Sequence, residues 1–118
     1  MLESKLEGRI PFHKGKVRDI YEEDTSELLI VATDRISAFD RIMLRGIPNK
    51  GVALTKLSEF WFVKTRHIFK NHFISIFNDR TIRAKRAKRI DIEWITRAYL
   101  YGSAWRANSP TLGRAIAF

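Results

Sequence analysis

The chain has no cysteine. That removes disulfides, thiolate nucleophiles and Cys-based zinc sites together, and it fits a reducing compartment. Its three prolines are isolated and no Gly/Ser-rich tract or internal repeat occurs, so nothing in the sequence reads as a linker. No apolar run approaches the roughly 20 residues that cross a bilayer, and Met1-Leu2-Glu3-Ser4 lacks the basic-then-apolar order of a secretory signal. The expectation is a soluble cytoplasmic protein with no membrane partner. A Walker A loop is missing, no Ser/His/Asp order suggests a triad, and His13, His67 and His72 show no metal-ligand spacing.

Apolar residues make up 45% of the 118, with eight Phe and three Trp, which suffices for one real core and argues against wholesale disorder. Acidic residues are scarce in one part only. Residues 80–118 carry nine Lys/Arg against two Asp/Glu, whereas residues 1–79 carry thirteen against eleven. A basic region of that kind implies an anionic partner: phosphate on a small molecule, nucleic acid or an acidic protein surface.

Alternation over Lys16-Val17-Arg18-Asp19-Ile20-Tyr21 predicts a strand entered from a turn at Gly15. Polar residues 22–27 then lead into a second strand, Leu28–Ala32, giving a hairpin. Arg41–Leu44 reads as a short strand. Leu54, Leu57, Phe60/Trp61, Lys64 and Ile68 recur at helical spacing, predicting an amphipathic helix over 52–70 with Ser58, Glu59 and Arg66 toward water and Phe60-Trp61-Phe62 in the core. Further strands are expected over Phe73–Phe77, Thr81–Ile90 and Ile92–Leu100, and Tyr101–Trp105 could begin a helix. Hairpins plus one long helix indicate an α+β architecture, an antiparallel sheet packed on that helix.

Four stretches could carry chemistry. In Gly15-Lys16-Val17-Arg18 the glycine lets the backbone approach an anion, and strand alternation sends both cations to one face; the alternative is the solvated face of a hairpin. The stretch Thr33-Asp34-Arg35-Ile36-Ser37-Ala38-Phe39-Asp40-Arg41 follows a buried strand, where a scaffold can hold polar groups at a cleft rim. There Asp34 and Asp40 could orient the arginines, accept from a substrate amine or contact a metal; the alternative is a charged turn of intramolecular Asp–Arg pairs. Six Lys/Arg lie between Arg80 and Arg89, and cations on both faces of a strand imply that one face lines a cleft. Finally, Arg97 with Tyr101-Gly102-Ser103 could cradle a monophosphate, or Arg97 could be a structural ion-pair partner.

Taken in order, GKVRDIYE (15–22), ATDRISAFD (32–40), GIPNKGVALTKLSEFWF (46–62) and TRAYLYGSAW (96–105) resemble the phosphoribosylaminoimidazole-succinocarboxamide synthase, or SAICAR synthetase, family. The resemblance implies an ATP-dependent carbon–nitrogen ligase of de novo purine biosynthesis. It would join L-aspartate to carboxyaminoimidazole ribonucleotide, with ATP and Mg²⁺. By position it places Gly15, Lys16, Arg18, Lys85 and Arg89 at the nucleotide. Asp34, Arg35, Ser37, Asp40, Lys50, Arg97 and Ser103 fall at the ribonucleotide and amino acid, Arg97 and Ser103 on the 5′-phosphate. No catalytic residue is assigned. Ala98 stands where the family usually has Gly, and Arg106-Ala107-Asn108 where Lys-Glu-Tyr is common.

The resemblance further implies that residues 1–118 form an amino-terminal lobe, that the Mg²⁺ carboxylates lie in a second lobe absent here, that the chain is truncated and inactive alone unless a complementing chain supplies the rest, and that the apolar seam so exposed favours a homo-oligomer. Other readings are a small basic nucleic-acid-binding module using the 80–89 strand with Tyr99, Tyr101 and Trp105, although no nucleic acid partner is expected for the ligase, and an inactive fragment with an assembly role.

Overall fold

The computed structural model describes residues 1–6, 8–39, 41–88, 90–92, 95–96, 98–99, 101–102 and 105. The chain divides into two compact units, Met1–Lys88 and Arg89–Phe118. All named elements belong to the first: β1 (His13–Lys14), β2 (Arg18–Glu22), β3 (Glu27–Ala32), β4 (Ser37–Ala38), β5 (Arg41–Ile42), α1 (Lys50–Thr65), β6 (Phe73–Asn78) and β7 (Thr81–Lys85). Strands β1-β2-β3-β7-β6 form one antiparallel sheet, and β4-β5 make a separate two-stranded pair. The architecture is the α+β one that the sequence predicts.

Alternation gives the sheet two distinct faces. In register, Ile20, Ile30 and Ile82 share one face and Tyr21, Leu29 and Arg83 the other. On the second face Tyr21, Leu29 and Val31 are fully buried and Leu6 of the amino-terminal segment packs on them. Each such side chain contributes about 1.5–3 kcal/mol by leaving water. The β2–β3 turn closes because the Asp24 carboxylate accepts the Ser26 and Glu27 N–H groups at 2.6 and 2.8 Å, an Asx-type arrangement.

Helix α1 covers the other face, but not with the side chains that the periodicity suggests. Gly51 and Thr55 are buried and Leu54, Ser58, Glu59 and Phe62 half-buried, whereas Leu57, Phe60 and Trp61 are each more than half exposed. The bulky stripe faces outward because the sheet is met at close range, where only small side chains fit. A Cβ on Gly51 would lie 2.2 Å from the Ala32 carbonyl oxygen. At its carboxyl end α1 is tied down by Phe62, which stacks on Phe73 and meets His72 edge-on, and by Asn71 Nδ2 donating to the Phe62 carbonyl.

Several boundaries differ from expectation; β5, read from the sequence as Arg41–Leu44, stops at Ile42. Strand β2 starts at Arg18, so Lys16 belongs to the turn and alternation no longer relates it to Arg18. The helix covers 50–65 instead of 52–70. Strand β7 stops at Lys85, not Ile90, because Glu27 opposite Lys85 is the first residue of β3, which runs antiparallel to it, and Phe73 opposite Ala84 is the first of β6. No partner strand remains on either side. In the second unit the described residues of the stretch expected as a strand, Ile92, Ile95, Thr96, Ala98 and Tyr99, form none. The expected helix start at Tyr101–Trp105 lies partly outside the described residues.

Candidate functional site

The most constrained polar feature is the turn between β1 and β2. The Gly15 N–H donates to the Arg18 carbonyl at 2.8 Å, and a Cβ on Gly15 would sit 2.9 Å from that same oxygen, which accounts for glycine there. Beneath the turn, the Arg35 guanidinium donates to the Gly15 and Lys16 carbonyls, each at 3.0 Å, and to the Leu2 carbonyl at 2.8 Å. Its remaining capacity goes to Asp19, a two-pronged ion pair at 2.6 and 3.2 Å. Thr33 completes the anchorage, its N–H and hydroxyl both donating to the Val17 carbonyl at 3.1 and 2.8 Å.

Asp19 is fully buried beside Ser4 and Tyr21; the Ser4 hydroxyl donates to it at 2.6 Å. Burial pushes this carboxyl upward, yet the bonds from Arg35 and Ser4 together outweigh it and hold the group below its ordinary value. A second buried carboxylate, Asp34, accepts Arg80 Nη1 at 2.6 Å and the Gly51 N–H at 2.9 Å, and pairs with the amino-terminal amine. It therefore caps α1 from a distant part of the chain, replacing a side-chain cap that Asn49 does not supply. Arg80 is the main cause of its strongly lowered pKa, with burial opposing.

On the helix side of the sheet, Arg18, His72, Thr55, Ser58 and Phe62 line a small cleft of about 60 Å³. Burial, reinforced by the Arg18 cation, pushes the His72 imidazole below its ordinary value of 6.5. The folded state thus binds fewer protons than the unfolded one at acid pH, so stability falls as pH drops below about 6.5, where the unfolded chain first takes up the His72 proton. A steeper loss begins below about pH 4, because Asp19 and Asp34 have an ordinary value of 3.8 and lower folded values. Urea unfolding at a series of pH values checks this; unchanged stability from pH 5 down to 3 contradicts it.

The residues singled out in the sequence do not all converge. Gly15, Lys16 and Arg35 meet at the turn. Arg18 stands on the helix side, whereas alternation along β3 and β7 puts Lys85 on the opposite face, so two residues that the resemblance places at one nucleotide lie on different faces of the sheet. Asp34 and Arg35 are engaged in internal ion pairs, the intramolecular alternative, though with partners far along the chain in place of each other; Asp34 also borders a cleft of about 490 Å³ with Gly46, Asn49 and Arg80. Ser37 is half-buried in β4, and Lys50 opens α1, its N–H donating to the Ile47 carbonyl. Asp40, Arg89, Arg97 and Ser103 lie outside the described residues.

The basic strip is neutralised in part. Arg80 pairs with Asp34, Arg83 with Glu23 and Glu27, and Arg86 with Glu22. Three of the cations on which a nucleic-acid reading depends are thereby committed to carboxylates. Sequence reasoning gave no role to Asp19 or His72, and did not separate Thr33 and Arg80 from the candidate stretches that contain them. The signal for Asp19 was available: a carboxylate between Val17 and Tyr21 on an otherwise apolar strand face needs a buried partner.

An antiparallel sheet on one helix, with a glycine-bearing turn held from below at the end of its first hairpin, defines an α+β lobe of the kind found at the amino-terminal end of SAICAR synthases. The SAICAR synthetase family pattern matches residues 11–117, and the chain belongs to that family. The phosphoribosylaminoimidazole-succinocarboxamide synthase of Thermodesulfovibrio yellowstonii is 44% identical over 90% of this chain and 41% of its own length. That of Saccharomyces cerevisiae is 42% identical over 87% of this chain and 41% of its own. The solved structure of the Saccharomyces cerevisiae SAICAR synthase complexed with SAICAR superposes with a TM-score of 0.84 at 40% identity, covering 92% of this chain and 44% of that one. The chain thus spans about two-fifths of the length of the relatives it matches.

Proposed function

We propose that this chain forms the amino-terminal, nucleotide-binding lobe of an ATP-dependent carbon–nitrogen ligase, one that joins L-aspartate to carboxyaminoimidazole ribonucleotide to give SAICAR. In that reaction the γ-phosphoryl of ATP passes to the substrate carboxylate, ADP leaves, and the aspartate amine then displaces inorganic phosphate from the acyl phosphate. Such chemistry asks the protein chiefly for positioning and for charge to offset the phosphates. The observation that carries the reading is the Gly15–Arg18 turn, anchored by Arg35 and Thr33 in a chain whose family match runs through it.

Gly15, Lys16 and Arg18 are assigned to the ATP phosphates and Arg89 to the rest of the nucleotide; Lys85, on the sheet face opposite Arg18, is left out of that site. Lys50, Ser37, Asp40, Arg97 and Ser103 are assigned to the ribonucleotide and aspartate, Arg97 and Ser103 holding the 5′-phosphate. Mg²⁺ would offset charge between the phosphates when bound. Among the described residues no group of three or more His, Asp or Glu could hold a metal ion, so no step on this chain is routed through it. No described helix is long and apolar enough to cross a membrane, in keeping with small soluble substrates.

A lost charge-assisted contact costs about 1.5–3 kcal/mol, so Arg18→Ala should weaken ATP binding about ten- to hundred-fold. Because Arg18 is exposed, thermal stability should hardly change. Calorimetric titration of ATP into the wild type and the variant checks this; equal affinities would remove Arg18 from the phosphate site, and no binding to the wild type would sink the functional reading.

A further inference from the structure

We propose that Arg35 is a positioning residue that presets the Gly15–Lys16 turn as an anion-binding element built from backbone N–H groups. Every described peptide bond is trans, so each carbonyl and the N–H of the following residue point in opposite directions. Arg35 draws the Gly15 and Lys16 carbonyls toward the interior, through Nη2 and Nε respectively. The N–H groups of Lys16 and Val17 are consequently turned away from Arg35, toward the outer side of the turn. Two successive outward N–H groups after a glycine are what a phosphate oxygen is bound by in backbone nests.

The rigidity of this arrangement comes from what lies behind it. Arg35 has only 12% of its side chain exposed, and its other donors go to Asp19, 1% exposed, and to the Leu2 carbonyl. Asp19 in turn is held by Ser4. A planar fork saturated on five acceptors cannot swing, so the carbonyls it holds cannot flip, and the turn needs no reorganisation when an anion arrives. Lysine, with one ammonium centre, cannot reach the two turn carbonyls and both Asp19 oxygens together.

That the anion is a nucleotide phosphate rests on the function proposed above; the positioning role does not. The test uses the 118-residue chain with ¹⁵N relaxation and ATP titration. In the wild type the Gly15–Val17 amides should be as rigid as β2 and β3, with order parameters near 0.85. In Arg35→Lys they should fall toward 0.6 while the strands stay rigid, and ATP affinity should drop at least tenfold. Should Arg35→Lys fail to fold, Asp19→Asn keeps the side-chain size and weakens the clamp on Arg35, and the same two changes are expected. Ile82→Ala serves as the comparison: it loosens the core on the sheet face opposite Asp19, and should lower stability with turn order and affinity intact. A turn that stays rigid in the folded variant overturns the proposal, as does unchanged affinity when the wild type binds. If the wild type binds no ATP, the functional reading fails, and turn order alone decides the role of Arg35.

Discussion

Asp34→Ala is expected to destabilise the protein by about 3–5 kcal/mol, the usual cost of removing one partner from a buried ion pair. The side chain of Asp34 is only 4% exposed and, besides pairing with the amino-terminal amine, does two jobs with one carboxylate. It neutralises Arg80, which is 20% exposed, and it accepts the Gly51 N–H at the start of α1. Its loss strands a guanidinium against the helix and leaves that donor unmatched. Against a total stability of about 5–15 kcal/mol for a small domain, this takes the chain close to unfolding. Asp34→Asn keeps an acceptor for Gly51 but not the charge, so it should fall between. Urea denaturation measures both; a loss below about 1 kcal/mol for the alanine variant would show that the Asp34 network is not what holds α1 to the sheet.

Gly51→Ala should also destabilise, by about 1–3 kcal/mol or more. The sign is the informative part, since alanine in place of glycine inside an exposed helix normally gains about 1 kcal/mol. Here the new methyl would lie 2.2 Å from the Ala32 carbonyl oxygen and 2.6 Å from Arg80 Nη1. Backbone oxygen cannot yield, so the helix must rise off β3 and loosen the Asp34–Arg80 contact with it. The same denaturation experiment reads this variant, and a gain in stability would mean that α1 stands further from the sheet than described.

What the sequence disclosed, and what it withheld, follows from range. The β2–β3 hairpin was legible because alternation and an Asp24-containing turn are local properties. The existence of α1 was legible for the same reason; its buried face was not. Periodicity marked Leu57, Phe60 and Trp61 as inward on the strength of size, whereas the sheet accepts the small Gly51 and Thr55, and that preference is visible only when Ala32 is known to lie opposite. Overreach at Thr81–Ile90 has a similar origin: β-branched and basic residues continue past Lys85, but the partner strands do not.

The candidate site divides likewise. Gly15 and Lys16 could be picked out as a turn able to approach an anion. Arg35 was noticed too, yet its partners lie 16–33 residues away, so its part as an internal clamp emerges only from the fold. Neutralisation of Arg83 and Arg86 by Glu22, Glu23 and Glu27 depends on β7 lying beside β3, which local pattern cannot convey. Charge counted along the chain overstated the charge available to a ligand.

The most direct test is to titrate ATP into ¹⁵N-labelled protein and follow the backbone amide shifts. If the turn is a phosphate site, the largest changes will fall on Gly15, Lys16, Val17 and Arg18, saturating with a single affinity that excess inorganic pyrophosphate competes away. Shifts confined to the Arg80–Lys88 strip with the turn unmoved, or no saturable change at all, would contradict it.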